Sequence, residues 1–341
     1  MKKSVFLAAA VCLPLLAFGQ ASSAQSVPED LSTTGGPPML GIHWIRGFEP
    51  AARLREAHHG GGGSALMTYH GGKILPTAVT KNIFWGTSWG SYSGDKITGL
   101  ETWYMGFGGS NYAKTSDEYT GSNGQVGATT THQGNVIDAT QSSGGGNTSA
   151  ILAEVCKAIT SPDPSGNGYY AVYTDTKRGH ASYCAYHSYG TCGDTPVQFA
   201  FFFDLDGDAG CDPQDTLSGH SQGLAAVANV SGHELSEART DPANPGAWYD
   251  SSGAENGDKC AWTFNVPLVT FSNGSQWKIQ GEWSNAAYTA GTGYPNRSGQ
   301  KRVSGRPLIR TPRIGRRDRW RQQPYRPAIR ISLVIRRSRL N

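Results

Sequence analysis

The stretch Ser231-Gly-His-Glu-Leu-Ser-Glu-Ala-Arg-Thr-Asp241 follows an apolar, Ala/Val-rich run over 224–230, and the two together read as one buried helix. With about 3.6 residues per turn, positions i and i+4 share a face. His233 and Glu237 therefore converge on one point, with Glu234 beside it. The pattern is that of the metal-binding helix H-E-x-x-H, with Glu237 in place of the second histidine.

A catalytic zinc takes about three protein ligands and keeps one position open. His233 and Glu237 supply two ligands, and Glu234 is placed to act as general base. No histidine or methionine follows His233, which excludes a third-histidine pattern and a Met-turn. A downstream third ligand must then be a carboxylate or Cys260, and Glu255 and Asp258 in Gly253-Ala-Glu-Asn-Gly-Asp258-Lys-Cys260 are the candidates. One imidazole with carboxylates is a hard donor set, so Mn or Ca competes with Zn. The bland alternative is a helix end with a solvated acid, a capping His233 and a Glu237–Arg239 surface pair.

Other motifs compete. Gly219-His220-Ser221-Gln222-Gly223 matches the nucleophile elbow G-x-S-x-G, but no apolar strand precedes it and the one later histidine lies on the same helix. Asp204, Asp206 and Asp208 place oxygens as at the start of a calcium loop, although Ala209 and Asp215 stand where an EF-hand needs Gly and Glu. His70 and His187 are further candidate ligands, with packed, hydrogen-bonded histidines as the alternative.

Lys2 and Lys3, the apolar run 5–18 and Ser22-Ser23-Ala24 make residues 1–24 a secretory signal peptide, cleaved after about Ala24. No later stretch has the roughly 20 apolar residues of a membrane span. A secreted or periplasmic protein is expected. Cys156, Cys184, Cys192, Cys211 and Cys260 then read as disulfide cysteines with one left over. The net charge of +4 hides an asymmetry: 301–341 carries 14 Lys and Arg against Asp318, leaving 16 basic and 25 acidic groups before it. That tail reads either as a disordered polycationic arm or as an off-frame gene end, and nucleic acid is not the expected partner.

Residues 25–63, rich in Pro, Gly and Arg and ending in Gly60–Gly63, read as a flexible pro-region or linker. Residues 64–300 read as one globular domain. Within it, 86–147 suggests short strands and long Gly/Ser/Thr-rich loops. Asn147-Thr148-Ser149 opens a helix with Ile151, Leu152, Val155, Cys156 and Ile159 at helical spacing. Strands are expected at 81–86, 169–173, 197–203, 268–271 and 275–279. The fold class is α/β (α+β), a zincin-like mixed sheet on two main helices, 148–160 and 221–238.

In this order, Met67-Thr-Tyr-His-Gly-Gly72, Tyr169–Tyr173 with Cys184-Ala-Tyr-His187, Gly232-His-Glu-Leu-Ser-Glu-Ala238, Ala247-Trp-Tyr-Asp250 and Glu255-Asn-Gly-Asp-Lys-Cys260 resemble the phosphate-induced protein/EXORDIUM family of secreted proteins. The resemblance covers about 65–300. It implies an extracellular or cell-wall location, no established enzymatic activity, and a single site holding His233, Glu234, Glu237, Glu255 and Asp258. The leading expectation is metal-dependent hydrolysis, with a peptide or cell-wall polymer as substrate. The alternative is a non-catalytic extracellular protein with a structural metal or acidic site.

Overall fold

The computed structural model describes residues 35–48, 66–264 and 266–291. The signal peptide and the basic tail lie outside them. Six strands form one sheet: β1 (Leu40–Trp44), β2 (Ala78–Trp85), β3 (Thr130–Asp138), β4 (Gly168–Lys177), β5 (Tyr183–Cys192) and β6 (Thr195–Asp204). Their order is β1-β5-β6-β4-β2-β3. Every pairing among β6, β4, β2 and β3 is parallel, whereas β5 runs antiparallel to both β1 and β6. The sheet is mixed, as expected.

Aromatic and branched residues make the central strands. Tyr169–Tyr173 and Val197–Phe203 are buried without a break, the pattern of strands covered on both faces. Helix α1 (Lys96–Phe107), α2 (Thr148–Ala158) and α3 (Gln222–Thr240) cover them. Successive strand residues point to opposite faces. Gly190 of β5 lies against Leu152 of α2, whereas His187 of β5 lies beside Glu237 of α3, so α2 and α3 sit on opposite faces. A buried hydroxyl chain fixes α1 and α3 to the sheet. Tyr104 Oη meets Tyr173 Oη at 3.0 Å, and Tyr173 Oη meets Ser231 Oγ at 2.6 Å.

Two expectations need correction. The 86–147 region holds the twelve-residue helix α1, not strands and loops alone. Leu100, Trp103, Tyr104 and Phe107 are its buried stripe, and Gly99 and Gly106 are there for packing. A Cβ at Gly99 would lie 2.3 Å from Leu224 Cδ2 of α3, so glycine permits the helices' close approach. The segment 25–63 is also not linker throughout, because Leu40–Trp44 forms β1 and buries His43 completely.

Two disulfides close, Cys156–Cys192 from α2 to the end of β5 and Cys184–Cys211 from β5 to the loop after β6. This suits an oxidising compartment. Cys260 stays a thiol, buried among Met67, Ile74, Tyr119, Trp283 and neighbours. No helix among the described residues is long and apolar enough to cross a membrane.

Candidate metal centre

Helix α3 starts where its sequence directs. Ser221 Oγ accepts the Leu224 N–H at 3.1 Å and donates to Asp95 Oδ1 at 2.6 Å, an N-cap. The G-x-S-x-G match is therefore a capping loop rather than a nucleophile elbow. No strand leads into it, and His220 stacks on Trp277. The helix stops at Asp241, whose backbone leaves the helical region just before Pro242. Both ends of α3 are packed: every residue from Gly223 to Thr240 is buried.

The loop after α3 folds back by local chemistry. Asp250 Oδ1 accepts the Ser252 and Ala254 N–H groups at 2.9 and 3.1 Å, and Lys259 pairs with the same carboxylate. This turn brings Glu255 and Asp258 to the helix. The Asp258 N–H donates to Glu237 Oε1 at 2.8 Å, and the Glu255 N–H to Asp258 Oδ2 at 3.1 Å. Asn256 Nδ2 donates to Ser236 O at 3.3 Å, pinning the loop to α3.

The expected ligands His233, Glu237, Glu255 and Asp258 do meet, and His187 joins them; Glu234 belongs to neither group of ligands and is linked to them through the charges of Glu237 and Asp258. His187 Nε2 lies 3.3 Å from Glu255 Oε2 and 4.0 Å from Glu237 Oε2. His233 Nε2 lies 3.1 Å from Glu237 Oε2 and 3.8 Å from Asp258 Oδ1. Two buried triads with metal-ligand spacing result, His187–Glu237–Glu255 and His233–Glu237–Asp258, sharing Glu237. Ligands about 2.0–2.1 Å from a tetrahedral ion stand roughly 3.3 Å apart, which the His187–Glu255 pair matches.

Hydrogen bonding separates the two triads. His187 makes no hydrogen bond from either ring nitrogen. The Nδ1 of His233 instead meets Gln280 Nε2 at 2.9 Å. That amide is oriented by backbone: Nε2 donates to Gly257 O at 2.8 Å, and Oε1 accepts the Trp262 N–H at 3.3 Å. His43 Nε2 lies 2.9 Å from the same Oε1. In this network Gln280 donates to His233 Nδ1, and the imidazole proton falls on Nε2, towards Glu237. His187 is the imidazole with both ring nitrogens free of hydrogen bonds, whereas His233 is held at Nδ1 by Gln280 and stands with Nε2 3.1 Å from Glu237 Oε2.

The centre gathers buried acids whose charges act on one another. Burial, then Glu237, Asp241 and the other nearby acids, hold the Glu255 carboxyl well above its usual range. Burial, then Glu237 and Asp258, do the same to Glu234. Burial lowers His187 to about 3, with His233 adding to the effect, and His43 also falls to about 3. Neither Glu234 nor Glu255 has a Lys or Arg partner among the described residues. Burying carboxylates costs several kcal/mol each unless they are paired or bind a metal.

Other sequence readings resolve differently. The three aspartates considered for calcium are met by cations of the protein itself. Lys96 Nζ bonds Asp204 Oδ1 and Asp206 Oδ2, each at 2.9 Å, Lys177 pairs with Asp204, and Arg178 pairs with Asp208. These ammonium and guanidinium groups take the place a calcium ion would fill. Arg239 is no surface partner of Glu237: it is fully buried, donates to Ala113 O and Gly127 O at 2.9 Å and faces Phe107. His70 stacks on Tyr249 at 3.6 Å, where Thr68–Tyr69 pairs with Trp248–Tyr249. Sequence reasoning missed His43, Gly41 and Gln280. For the first two the signal was the Met-Leu-Gly-Ile-His-Trp run inside the supposed linker.

Comparison with family models, curated proteins and solved structures finds no match to this chain.

Proposed function

We propose that this is an exported metal-dependent hydrolase of zincin type acting on peptide bonds, with its metal held by His187, Glu237 and Glu255. His233 and Asp258 stand beside them. The single observation that carries the reading is His187, fully buried with both ring nitrogens free of hydrogen bonds and its Nε2 facing two carboxylates. A bound Zn or Mn ion would act there as a Lewis acid that polarises a carbonyl. One imidazole with two carboxylates suits Zn, Mn or Ca. Glu234 would be the group to take a proton from the attacking water and pass it to the leaving amine; that role needs its ionised form, and a cation at the centre would offset the burial and the Glu237 and Asp258 charges that raise its pKa. The resemblance to the phosphate-induced protein/EXORDIUM family supports the extracellular location, as do the two disulfides.

A second reading has its own observation. His187, His233, Glu234 and Glu237 are all fully buried, as a closed structural metal site would be. Elemental analysis of the purified chain separates both readings from a metal-free protein. About one equivalent of transition metal is expected, lost in His187→Ala and in Glu237→Ala. A wild type that holds no metal overturns the proposal. Where metal is present, Glu234→Gln should keep it and abolish peptide hydrolysis, whereas a purely structural site shows no hydrolysis in either protein.

A further inference from the structure

The centre is sealed by main chain. Strand β1 lies at the sheet edge, antiparallel to β5, with Leu40 opposite His187 and His43 opposite Ala185. Three residues of β1 thus span two of β5, a bulge, and Gly41 sits in it at φ +46. A Cβ at Gly41 would stand 2.0 Å from Glu237 Oε2 and 2.5 Å from His187 Nε2. The backbone therefore passes directly over the two side chains that best fit a metal. Two residues on, His43 packs edge-on against His233 at 4.5 Å and against Trp262 at 4.7 Å, filling a closed slot. Ser188 Oγ donates to Pro38 O at 2.7 Å before the strand, and the Ile45 N–H donates to Ser182 O at 3.0 Å after it.

An extended chain paired with an edge strand is how peptides are recognised by strand addition: the ladder gives affinity and alternate pockets give specificity. Here the same geometry lays main chain against an imidazole and a carboxylate. We propose that residues 39–44 occupy, in cis, the groove for an extended polypeptide, whose strand adds to the β5 edge with glycine at the position over Glu237. This rests on the hydrolase reading above. Glycine is required twice at that position, once because any side chain would overlap Glu237 and His187, and once because of the positive φ. β1 then keeps the centre shut until it is displaced.

The test uses the full chain with Gly60–Gly63 replaced by the recognition sequence of a site-specific protease. A fluorescent peptide of residues 37–46 is added to the cleaved and intact chains in a metal-chelating buffer and followed by anisotropy. The cleaved chain is expected to bind it saturably and the intact chain not at all. The same peptide with Gly41→Val should bind at least about tenfold more weakly. Equal binding of the two peptides, or a cleaved chain that never exchanges its own strand, overturns the proposal. Because metal is absent, a failure here is distinct from failure to bind metal, which elemental analysis reports. As a second arm, the intact Gly41→Val chain, if its melting shows it folded, should release zinc to a chromogenic chelator about tenfold faster. An unchanged rate in that folded variant also overturns it.

Discussion

His187 of β5 and Glu255 of the loop after α3 face each other with Nε2 3.3 Å from Oε2, both residues buried and neither of these two atoms in a hydrogen bond. Such a pair is costly without a cation and stabilising with one. Glu255→Gln should therefore change sign with metal. In a chelating buffer it is expected to leave the melting temperature unchanged or raise it, because a buried acid is removed. With zinc in excess it should lower it by roughly 2–4 °C for each kcal/mol of binding energy lost. Calorimetry in the two buffers decides it, and the same negative shift in both would rule out a metal contact for Glu255.

Gln280 joins four partners in the core: His43, His233, Gly257 O and the Trp262 N–H. Gln280→Leu keeps the volume and leaves those groups unpaired, at a cost of at least about 4 kcal/mol, since each orphaned buried group costs about 1–3 kcal/mol. It also frees His233 to reorient away from Glu237. Loss of a positioning group of this kind lowers metal affinity about 10–100-fold. Denaturant titration and competition with a metal indicator read the two effects separately. A variant with wild-type affinity would reduce Gln280 to a core residue.

Much of this was legible in the sequence, for identifiable reasons. The i, i+4 spacing of His233 and Glu237 fixes their common face, and the Asn147 and Ser221 caps mark two helix starts. Glu255 and Asp258 were reachable because a short Asx-type turn at Asp250 returns the chain to the helix it has just left. His187 was visible as a candidate but could not be placed, because its position depends on a sheet register set by distant strands. Helix α1 was hidden by Gly99 and Gly106, which local propensity reads as breakers and tertiary packing uses as contact points. β1 was hidden by its neighbourhood: five residues of strand inside a Pro/Gly/Arg-rich segment carry too little periodicity to stand out.

Acid stability has a marker away from the metal site. Burial raises the Glu282 carboxyl to about 7, against 4.5 for an ordinary glutamate, although Arg239 and the Ser116 hydroxyl oppose the shift. Between those values the native chain holds a proton that the unfolded chain has lost, so stability falls as pH rises from about 4.5 to 7. Burial likewise raises Glu154 and Asp241 to about 7, which adds to the slope. Chemical denaturation across this window should show the decline, and Glu282→Gln should flatten part of it. A steeper decline in the variant would mean that the charged form is the stabilised one.

Gly99 and Leu224 test the contact that sets the α1–α3 approach. A Cβ at Gly99 would meet Leu224 Cδ2 at 2.3 Å and Cδ1 at 2.8 Å. Gly99→Ala would normally favour a helix by about 1 kcal/mol. Here overpacking should reverse that, for a net loss of about 1–2 kcal/mol. Leu224 is itself buried, and Leu224→Ala alone should cost about 2–5 kcal/mol through the cavity it leaves. In the double variant the new methyl enters that cavity, so the two losses should fall short of additivity by more than about 0.5 kcal/mol. Denaturant-derived stabilities of the four proteins complete the cycle. Strict additivity would mean that the helices separate to admit the methyl, and that the approach of α1 to α3 is not set at this glycine.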